Sequence, residues 1–341
     1  MNTFTLGLIV VAYLLSLAYL GFLGYKKTTN TSDYLVGGRQ MNPIVMALSY
    51  GATFISASAI VGFGGVAAAF GMGIQWLCFL NMFIGVVIAF IFFGLRTRRM
   101  GAKLNVSTFP QLLGRHFRSR NIQVFIAAVI FIGMPLYAAV VMKGGAVFIE
   151  QIFQIDFNIS LLIFTLVIAA YVIAGGMKGV MTLSTIQTPI LIIGSFLVLF
   201  LGLSALGDGS IAAGWTEMMD HARNAMNVGA DGHAYGANHM FHWEEGDPMY
   251  QEYPGFVVFI GASIIGFWYW CTDQHIVQRV LGQTKGEDNR VVMKRARRGT
   301  IAAGYFKILP VFMFLIPGMV AAALAAKGEF DMSNTDAAFA V

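Results

Sequence analysis

The chain has 341 residues, of which 57% are hydrophobic and only 11% are charged. Soluble domains carry roughly 25% charged residues, so the composition excludes an ordinary soluble domain and favours a protein that spans a bilayer. The net charge of +5 does not indicate nucleic acid binding, because the basic residues lie in loops between apolar runs, where membrane topology accounts for them.

Eight apolar segments follow one another along the chain, and a membrane-spanning helix needs about 20 such residues. They cover residues 3–25, 43–70, 74–95, 122–149, 158–174, 181–207, 254–281 and 299–326. No Lys or Arg precedes the first segment, which is also long for a signal peptide, so we interpret it as a spanning helix. The two cysteines, Cys78 and Cys271, lie in apolar surroundings and indicate neither a disulfide framework nor a metal site.

The charges of the connecting loops orient these segments. Residues 96–121 carry seven basic and no acidic residues, residues 273–298 carry seven basic residues, and residues 208–252 carry eight acids and one arginine. By the positive-inside rule, the two basic loops are cytoplasmic and the acidic loop is extracellular. Eight spans with the N-terminus outside satisfy all three loops, and they also place the basic residues of 26–39 inside.

Two segments, 43–70 and 254–281, are longer than an upright span requires, and both hold small or hydroxylated residues near their middle. Such residues allow a membrane helix to break, although close helix packing is an alternative explanation. Interrupted helices at matching positions in two halves indicate a transporter built from repeats. We therefore predict an extra first helix and loop (1–42), a five-helix repeat (43–207), an extracellular loop (208–253) and the start of a second repeat (254–341).

Three motifs carry a resemblance to a known family. Residues 33–39 read DYLVGGR, residues 175–180 read GGMKGV with Gln187 following, and residues 267–279 read FWYWCTDQHIVQR between Pro254-Gly255 and Gly304-Tyr305-Phe306-Lys307. In this order the chain resembles the sodium:solute symporter family, and within it the sodium/glucose cotransporter branch. The resemblance implies an all-α membrane protein with the leucine-transporter-type inverted-repeat fold, here incomplete, because the repeats need three more helices than the chain holds.

The resemblance also implies a sodium site. The family takes two backbone carbonyls from the break in its first core helix, at positions that match Ala52 and Ile55. The C-terminal carbonyls of a half-helix suit a cation, because the helix dipole is negative there. Sodium is thus the expected coupling ion, with no cofactor and no other metal. Ser184 replaces an Asp that the family usually has, which argues against a second coupling cation there; ordinary helix surface is its alternative role.

For the solute, the resemblance implies contacts from both interrupted helices and the last segment, namely Ser58, Ala59, Gly266, Tyr269, Trp270 and Lys307. Tyr269 matches a gate tyrosine whose ring stacks on the solute, after a helix break expected at Gly266; the alternative is a membrane-interface anchor. Lys307 matches a lysine of the sugar branch, or else it snorkels to the membrane surface. Ala59 and Cys78 replace polar residues of that branch, so the solute is a sugar held differently or a carboxylate.

These features predict a multi-pass plasma-membrane protein that uses a sodium gradient to carry a small organic solute by alternating access. Its expected partners are sodium, the solute and the lipid bilayer, and nucleic acid is not among them. No nucleophile stands beside a base, so no enzyme is expected. A transporter-like sensor module of a signalling protein is the alternative, and a channel is disfavoured because no filter-like loop is present. His233, His239 and His242 fit no metal-site spacing and are expected to be solvated.

Overall fold

The computed structural model describes residues 3–39, 43–75, 93–282, 291, 294, 297–299, 301–302, 305–306 and 308–329. Within these ranges the regular secondary structure is helical, and the β-type pairing there is one isolated bridge between Val228 and Ala234. The all-α prediction is therefore confirmed for the described residues. The helices are α1 (Thr3–Lys27), α2 (Thr31–Val36), α3 (Pro43–Phe54), α4 (Ala57–Phe70), α5 (Leu95–Leu104), α6 (Phe109–His116), α7 (Arg120–Phe153), α8 (Phe157–Leu206), α9 (Ile211–Asn224), α10 (Pro248–Glu252), α11 (Gly255–Cys271), α12 (Gln274–Leu281) and α13 (Ile316–Ala326).

Two of the described helices, α7 and α8, are long and apolar enough to cross a membrane by length and composition alone. α8 consists of two helices joined at Gly176, whose φ of 54° and ψ of −155° are not helical. This break separates the two segments predicted at 158–174 and 181–207. The count of eight spans and the outer position of the N-terminus stay predictions.

α1, the predicted extra helix, packs along α8 through small residues. A Cβ atom added to Gly24 would lie 2.5 Å from the Cα atom of Gly179, so a glycine is needed at this crossing. The hydroxyl of Thr28 also donates to the carbonyl of Gly175 (3.2 Å). Small residues let membrane helices approach closely, and α1 is thereby fixed beside the break in α8.

The first predicted interruption, in segment 43–70, is present. α3 ends at Phe54, and α4 begins at Ala57 after a bend at Ile55. Ser56 has extended backbone angles (φ −98°, ψ 158°), and its side-chain oxygen accepts a hydrogen bond from the N–H of Ala59. A serine that caps a helix in this way satisfies an N–H group that would otherwise lack a partner. Ser56 therefore determines where α4 starts.

The second interruption is also present, but its predicted place at Gly266 is wrong. α11 runs without a break through Gly266 to Cys271, and the break lies at Thr272 and Asp273. A glycine inside a helix lowers its stability by only about 1 kcal/mol relative to alanine and offers no capping group. Asp273 offers one, because its carboxylate accepts the N–H of His275 (3.0 Å) at the start of α12. The capping residue, not the glycine, places the break.

The predicted acidic loop is folded against the end of α4. It contains α9 and α10, and the N–H of Met72 donates to the carbonyl of Ala237 within it (2.8 Å). The expectation that its three histidines are solvated fails for His242, which is buried and bonded to Asp247 (2.5 Å). A polar side chain becomes buried in a loop when its hydrogen bonds are satisfied there.

Candidate functional site

A cavity of about 350 Å³ lies between the two interrupted helices. Small-molecule sites occupy about 300–1,000 Å³, so the cavity is large enough for a small solute. Its lining residues are mostly apolar and include one serine and three tyrosines. The lining residues are Ser56, Ala59, Gly62, Phe63, Val66, Ile74, Tyr137, Val140, Tyr253 and Tyr269.

Tyr269 lines this cavity and joins the two interrupted helices. Its hydroxyl donates a hydrogen bond to the backbone carbonyl of Thr53 (3.4 Å). The side chain is buried, and it belongs to a small apolar cluster with Met46, Ala47 and Ile276. A helix leaves its last four carbonyls without partners of its own, so the end of α3 supplies the acceptor. Tyr269 lies at a cavity wall, where the resemblance places a gate.

The two carbonyls expected to bind sodium lie at this same end of α3. The N–H of Ile55 donates to the carbonyl of Gly51 (3.0 Å), and the chain bends directly afterwards. The next carbonyl along the chain is that of Ala52. It belongs to the end of α3, where a helix offers no later N–H group to its carbonyls. Carbonyls at a helix C-terminus carry a partial negative charge. The end of α3 is therefore electronegative, and the roles of Ala52 and Ile55 as sodium ligands stay predictions.

The structure places the remaining predicted solute contacts as follows. Ala59 lines the cavity. Gly266 is buried in α11, one turn before Tyr269, and is not a lining residue. Ser58 and Trp270 lie in α4 and α11, where only their backbone is described, and Lys307 lies outside the described residues.

Two tyrosines of the cavity, Tyr137 and Tyr253, were not predicted from the sequence. Tyr137 comes from the middle of α7, two residues after Pro135. A proline inside a long apolar helix marks a bend. Pro135 is therefore a sequence signal that points to this region. Tyr253 follows α10 and meets Phe70 edge to face, with ring centroids 5.9 Å apart. Its place at the cavity depends on the folded loop, and no sequence pattern indicates it.

Next to the cavity, α12 is fastened to α3 by a buried arginine. The Nε atom of Arg279 donates to the hydroxyl of Ser49 (3.1 Å), and its Nη1 atom donates to the carbonyl of His275 (2.7 Å). Thr188 of α8 also bonds to α3, through the carbonyl of Leu48 (3.0 Å). The halves of the two interrupted helices on this side of the cavity are thus held together by polar contacts.

The first two family motifs meet at the break in α8. The Nζ atom of Lys178 lies 3.3 Å from Asp33 and donates to the carbonyl of Lys27 (2.8 Å). Asp33 also accepts from the N–H (3.1 Å) and the hydroxyl (3.0 Å) of Thr29. The hydrogen bond from the Thr29 N–H, more than the contacts with Lys178, lowers the pKa of Asp33 below its ordinary value. These motif residues therefore have a structural role away from the cavity.

Ser184 is buried, and its hydroxyl donates to the carbonyl of Val180 (2.7 Å) within α8. Its interpretation as ordinary helix surface is therefore wrong. Because its hydroxyl already bonds to its own helix, the side chain is satisfied in a buried position.

The chain has relatives among characterised cotransporters. Sodium/myo-inositol cotransporter 2 of Oryctolagus cuniculus is 28% identical over 317 residues, which are 92% of this chain and 44% of the relative. Sodium/glucose cotransporter 1 of Sus scrofa is 27% identical over 336 residues, with 93% of this chain and 46% of the relative covered. The chain thus spans less than half the length of these relatives. These relatives are cotransporters and not enzymes, in agreement with the prediction that this chain is not an enzyme.

A solved structure shares the fold. The substrate-bound, outward-open structure of a Na⁺-coupled sialic acid symporter superposes with a TM-score of 0.75 at 18% identity, over 97% of this chain and 65% of that chain. Its fold is of the leucine-transporter type, as predicted for this chain. The model of the sodium:solute symporter family matches residues 34–339, and members of that family are integral membrane proteins. The chain belongs to the sodium:solute symporter family.

Proposed function

We propose that the protein is a sodium-coupled symporter that carries a small organic solute across the plasma membrane by alternating access. The observation that carries this proposal is the hydrogen bond between Tyr269 and the Thr53 carbonyl, which joins two interrupted helices beside a cavity. Interrupted helices that face one site are typical of transporters built from repeats. Membership of the family and the names of the relatives support the proposal.

In the proposed architecture, residues 43–207 form the first repeat and residues 254–341 begin the second. α3 and α4 then correspond to α11 and α12, because each pair is one helix broken near the cavity. Alternating access would move one pair relative to the other. The contacts of Arg279 and Tyr269 with α3 restrain that movement.

Sodium is coupled to the solute through the end of α3. The carbonyl that accepts from Tyr269 belongs to Thr53, which lies between the proposed sodium ligands Ala52 and Ile55. A cation bound to those two carbonyls orients the turn that also contains the Thr53 carbonyl. Tyr269 is then held in place as a wall of the solute cavity. Sodium binding therefore raises solute affinity by ordering the gate.

The favoured solute is a neutral, hydroxylated ring such as a sugar or cyclitol. None of the described lining residues is charged, and the rings of Tyr137 and Tyr269 offer faces on which an apolar sugar surface can pack. Ala59 supplies no polar group, but Ser56 and Tyr253 line the same cavity, and their hydroxyls would supply hydrogen bonds instead. The relatives named for myo-inositol and glucose support this class.

A small carboxylate is the second candidate. It needs a positive partner, and Lys307, which lies outside the described residues, is the one that the resemblance offers. Cys78, the other position that argued against a sugar, also lies outside them. A contact between Lys307 and the solute would favour a carboxylate. The lysine would pair with the anion, which is costly to bury without a partner.

The experiment is uptake of labelled myo-inositol, glucose and lactate by proteoliposomes that contain the intact protein, with an inward sodium gradient or with choline in its place. We expect saturable uptake of a neutral ring that requires sodium. Equal uptake without sodium and without a proton gradient contradicts the coupling. Sodium-dependent solute binding without any uptake favours the sensor alternative.

A further inference from the structure

An apolar groove of about 500 Å³ lies between α1 and α8 and shares no lining residue with the solute cavity. Its lining residues come from Leu17 to Tyr25 of α1 and from Val167 to Ala174 of α8. They are apolar or aromatic, and none of the described lining residues is charged. Phe22 and Tyr25 are 60% and 59% exposed, so the groove opens to the surroundings of the two helices.

The length of the groove matches one leaflet of a bilayer. From Leu17 to Tyr25, α1 rises about 12 Å, and the hydrocarbon of one leaflet is about 15 Å thick. The spans predicted at 3–25 and 158–174 both end where the groove ends, on the predicted cytoplasmic side. Members of this family are integral membrane proteins, so lipid chains are the molecules that surround such a groove.

Two lysines lie directly beyond the apolar groove. Lys26 continues the row of Ala18 and Phe22, because residues four apart lie on the same face of a helix, and both Ala18 and Phe22 line the groove. Lys27 follows as the last residue of α1. Both lysines are exposed, and neither forms an ion pair with another described residue. Two cations therefore stand where a lipid headgroup would lie.

The surroundings leave this place with a surplus of positive charge. The last carbonyls of a helix carry a partial negative charge, but donors already bind them here. The hydroxyl of Thr28 donates to the carbonyl of Gly24 (2.8 Å), and the Nζ atom of Lys178 donates to that of Lys27 (2.8 Å). Asp33 is the nearby acid, and it is paired with Lys178 (3.3 Å). The charges of Lys26 and Lys27 are therefore available to a ligand.

We propose that the groove binds one anionic phospholipid, with an acyl chain between α1 and α8 and the phosphate on Lys26 and Lys27. Lysine binds phosphate as a point charge, and basic residues at the cytoplasmic surface attract anionic lipids. A zwitterionic phospholipid fits less well, because its own cation offsets the phosphate. The site goes beyond the proposed symport, and its test does not require transport.

The bound lipid would hold α1 in its place beside the break in α8. At this crossing α1 approaches α8 so closely that a Cβ atom on Gly24 would lie 2.5 Å from the Cα atom of Gly179. A lipid that fills the adjoining groove contacts both helices only while they are packed together. A ligand that binds the folded protein alone raises its stability. The lipid is thus a structural ligand of the extra first helix.

The test measures lipid binding by native mass spectrometry and thermal unfolding of the intact protein in detergent. The probes are phosphatidylglycerol, phosphatidylcholine with the same acyl chains, and inorganic phosphate. We expect phosphatidylglycerol to bind more tightly than phosphatidylcholine and to raise the unfolding temperature, and inorganic phosphate to have no effect at the same concentration. Equal binding of the two lipids, or an equal shift with inorganic phosphate, overturns the proposal.

The headgroup contact is tested with the double variant Lys26→Gln, Lys27→Gln. It should weaken phosphatidylglycerol binding about 30-fold, because each basic residue contributes about fivefold, and should leave phosphatidylcholine binding unchanged. The matched control is Lys103→Gln, Arg120→Gln, which removes two exposed charges from the other basic loop. An unchanged affinity in the first variant, or an equal loss in both, contradicts a site at Lys26 and Lys27.

The groove itself is tested with Ala174→Phe, which fills it and keeps both lysines. We expect this variant to lose the lipid-dependent rise in unfolding temperature. Ala128→Phe, at an exposed position of α7, is the matched control and should keep that rise. If Ala174→Phe binds phosphatidylglycerol as tightly as the unmodified protein does, the groove has no part in binding and the proposal fails. All of these measurements can fail while sodium symport holds, and the reverse.

Discussion

The hydroxyl of Tyr269 donates a hydrogen bond to the backbone carbonyl of Thr53, a residue 216 positions earlier in the chain. Each partner lies within a few residues of a helix break, Thr53 before the bend at Ile55 and Tyr269 before the break at Asp273. The bond joins the two interruptions at the wall of one cavity. Its presence links the position of Tyr269, the proposed gate, to the conformation of the proposed sodium-binding turn.

Removal of the Tyr269 hydroxyl should show the effect of its hydrogen bond to Thr53 apart from the effect of the aromatic ring. Tyr269→Phe keeps the ring and loses one hydrogen bond, which contributes about 1 kcal/mol. We expect the sodium concentration for half-maximal uptake to rise several-fold while the maximal rate changes little. Tyr269→Ala also removes the ring and should abolish uptake.

Trp268→Phe is the control for these variants, since Trp268 is the adjacent aromatic and is 45% exposed. It should leave both the sodium dependence and the maximal rate near their original values. If Tyr269→Phe and Trp268→Phe behave alike, the bond to Thr53 has no part in coupling.

Loss of the cap at the first interruption should weaken sodium binding. Ser56→Ala removes the side-chain oxygen that accepts from the N–H of Ala59, and loss of a serine cap costs about 1 kcal/mol. The turn with the carbonyls of Ala52 and Ile55 becomes less ordered. We therefore expect a higher sodium requirement in uptake assays, together with a lower unfolding temperature.

Ser210→Ala is the matched control, because Ser210 caps α9 through the N–H of Ala213 (3.3 Å) away from the cavity. It should lower the unfolding temperature by a similar amount without changing the sodium requirement. A raised requirement in both variants would assign the effect of Ser56 to stability alone.

The contact between Arg279 and Ser49 should contribute a measurable coupling energy. Both side chains are buried, and hydrogen bonds to charged groups contribute about 1.5–3 kcal/mol. A double-mutant cycle with Ser49→Ala and Arg279→Met should give a coupling of that size in the free energy of unfolding. The exposed pair of Asp220 and Arg223 (3.7 Å) provides the reference, with an expected coupling of about 0–0.5 kcal/mol. Equal coupling energies for the two pairs would contradict a stabilising contact between α12 and α3 through Arg279.

The lowered pKa of Asp33 makes a stability contribution that depends on pH. A carboxyl group whose folded pKa lies below its unfolded value stabilises the protein above the unfolded value and loses this contribution as the pH falls through the folded one. Asp33→Asn should therefore lower the unfolding temperature at neutral pH, because the contacts with Thr29 and Lys178 are weakened. The difference from the unmodified protein should shrink as the pH falls into the carboxylate range. A difference in unfolding temperature that stays constant with pH would contradict a contribution from the lowered pKa of Asp33.

The sequence predicted those parts of the fold that depend on local hydrophobicity. The apolar runs 3–25, 43–70, 122–149, 158–174, 181–207 and 254–281 coincide with described helices, while most of the run 74–95 lies outside the described residues. The gap between segments 158–174 and 181–207 coincides with the break at Gly176. The interruption near Ser56 followed from the small and hydroxylated residues around it. The second interruption was misplaced, because glycine permits a break while the carboxylate of Asp273 stabilises one.

The candidate site was only partly predictable. Tyr269 came from a motif and Ala59 from the family resemblance, and both line the cavity. Tyr137 and Tyr253 reach the cavity through the packing of α7 and of the acidic loop, which are contacts between distant parts of the chain. The burial of His242 likewise depends on a partner, Asp247, that a loop fold brings close. Local patterns do not encode such contacts.

A side chain at the break in α8 should destabilise the protein. Gly176 has a φ of 54°, which residues with a side chain adopt at a cost of roughly 1–2 kcal/mol, and a Cβ atom there would lie 2.6 Å from the Tyr34 ring. We expect Gly176→Ala to lower the free energy of unfolding by at least about 2 kcal/mol. Gly194→Ala, in the same helix, would meet no atom within 4 Å and should be neutral or slightly stabilising. Thermal unfolding of both variants checks this, and equal unfolding temperatures would show that the break does not depend on glycine.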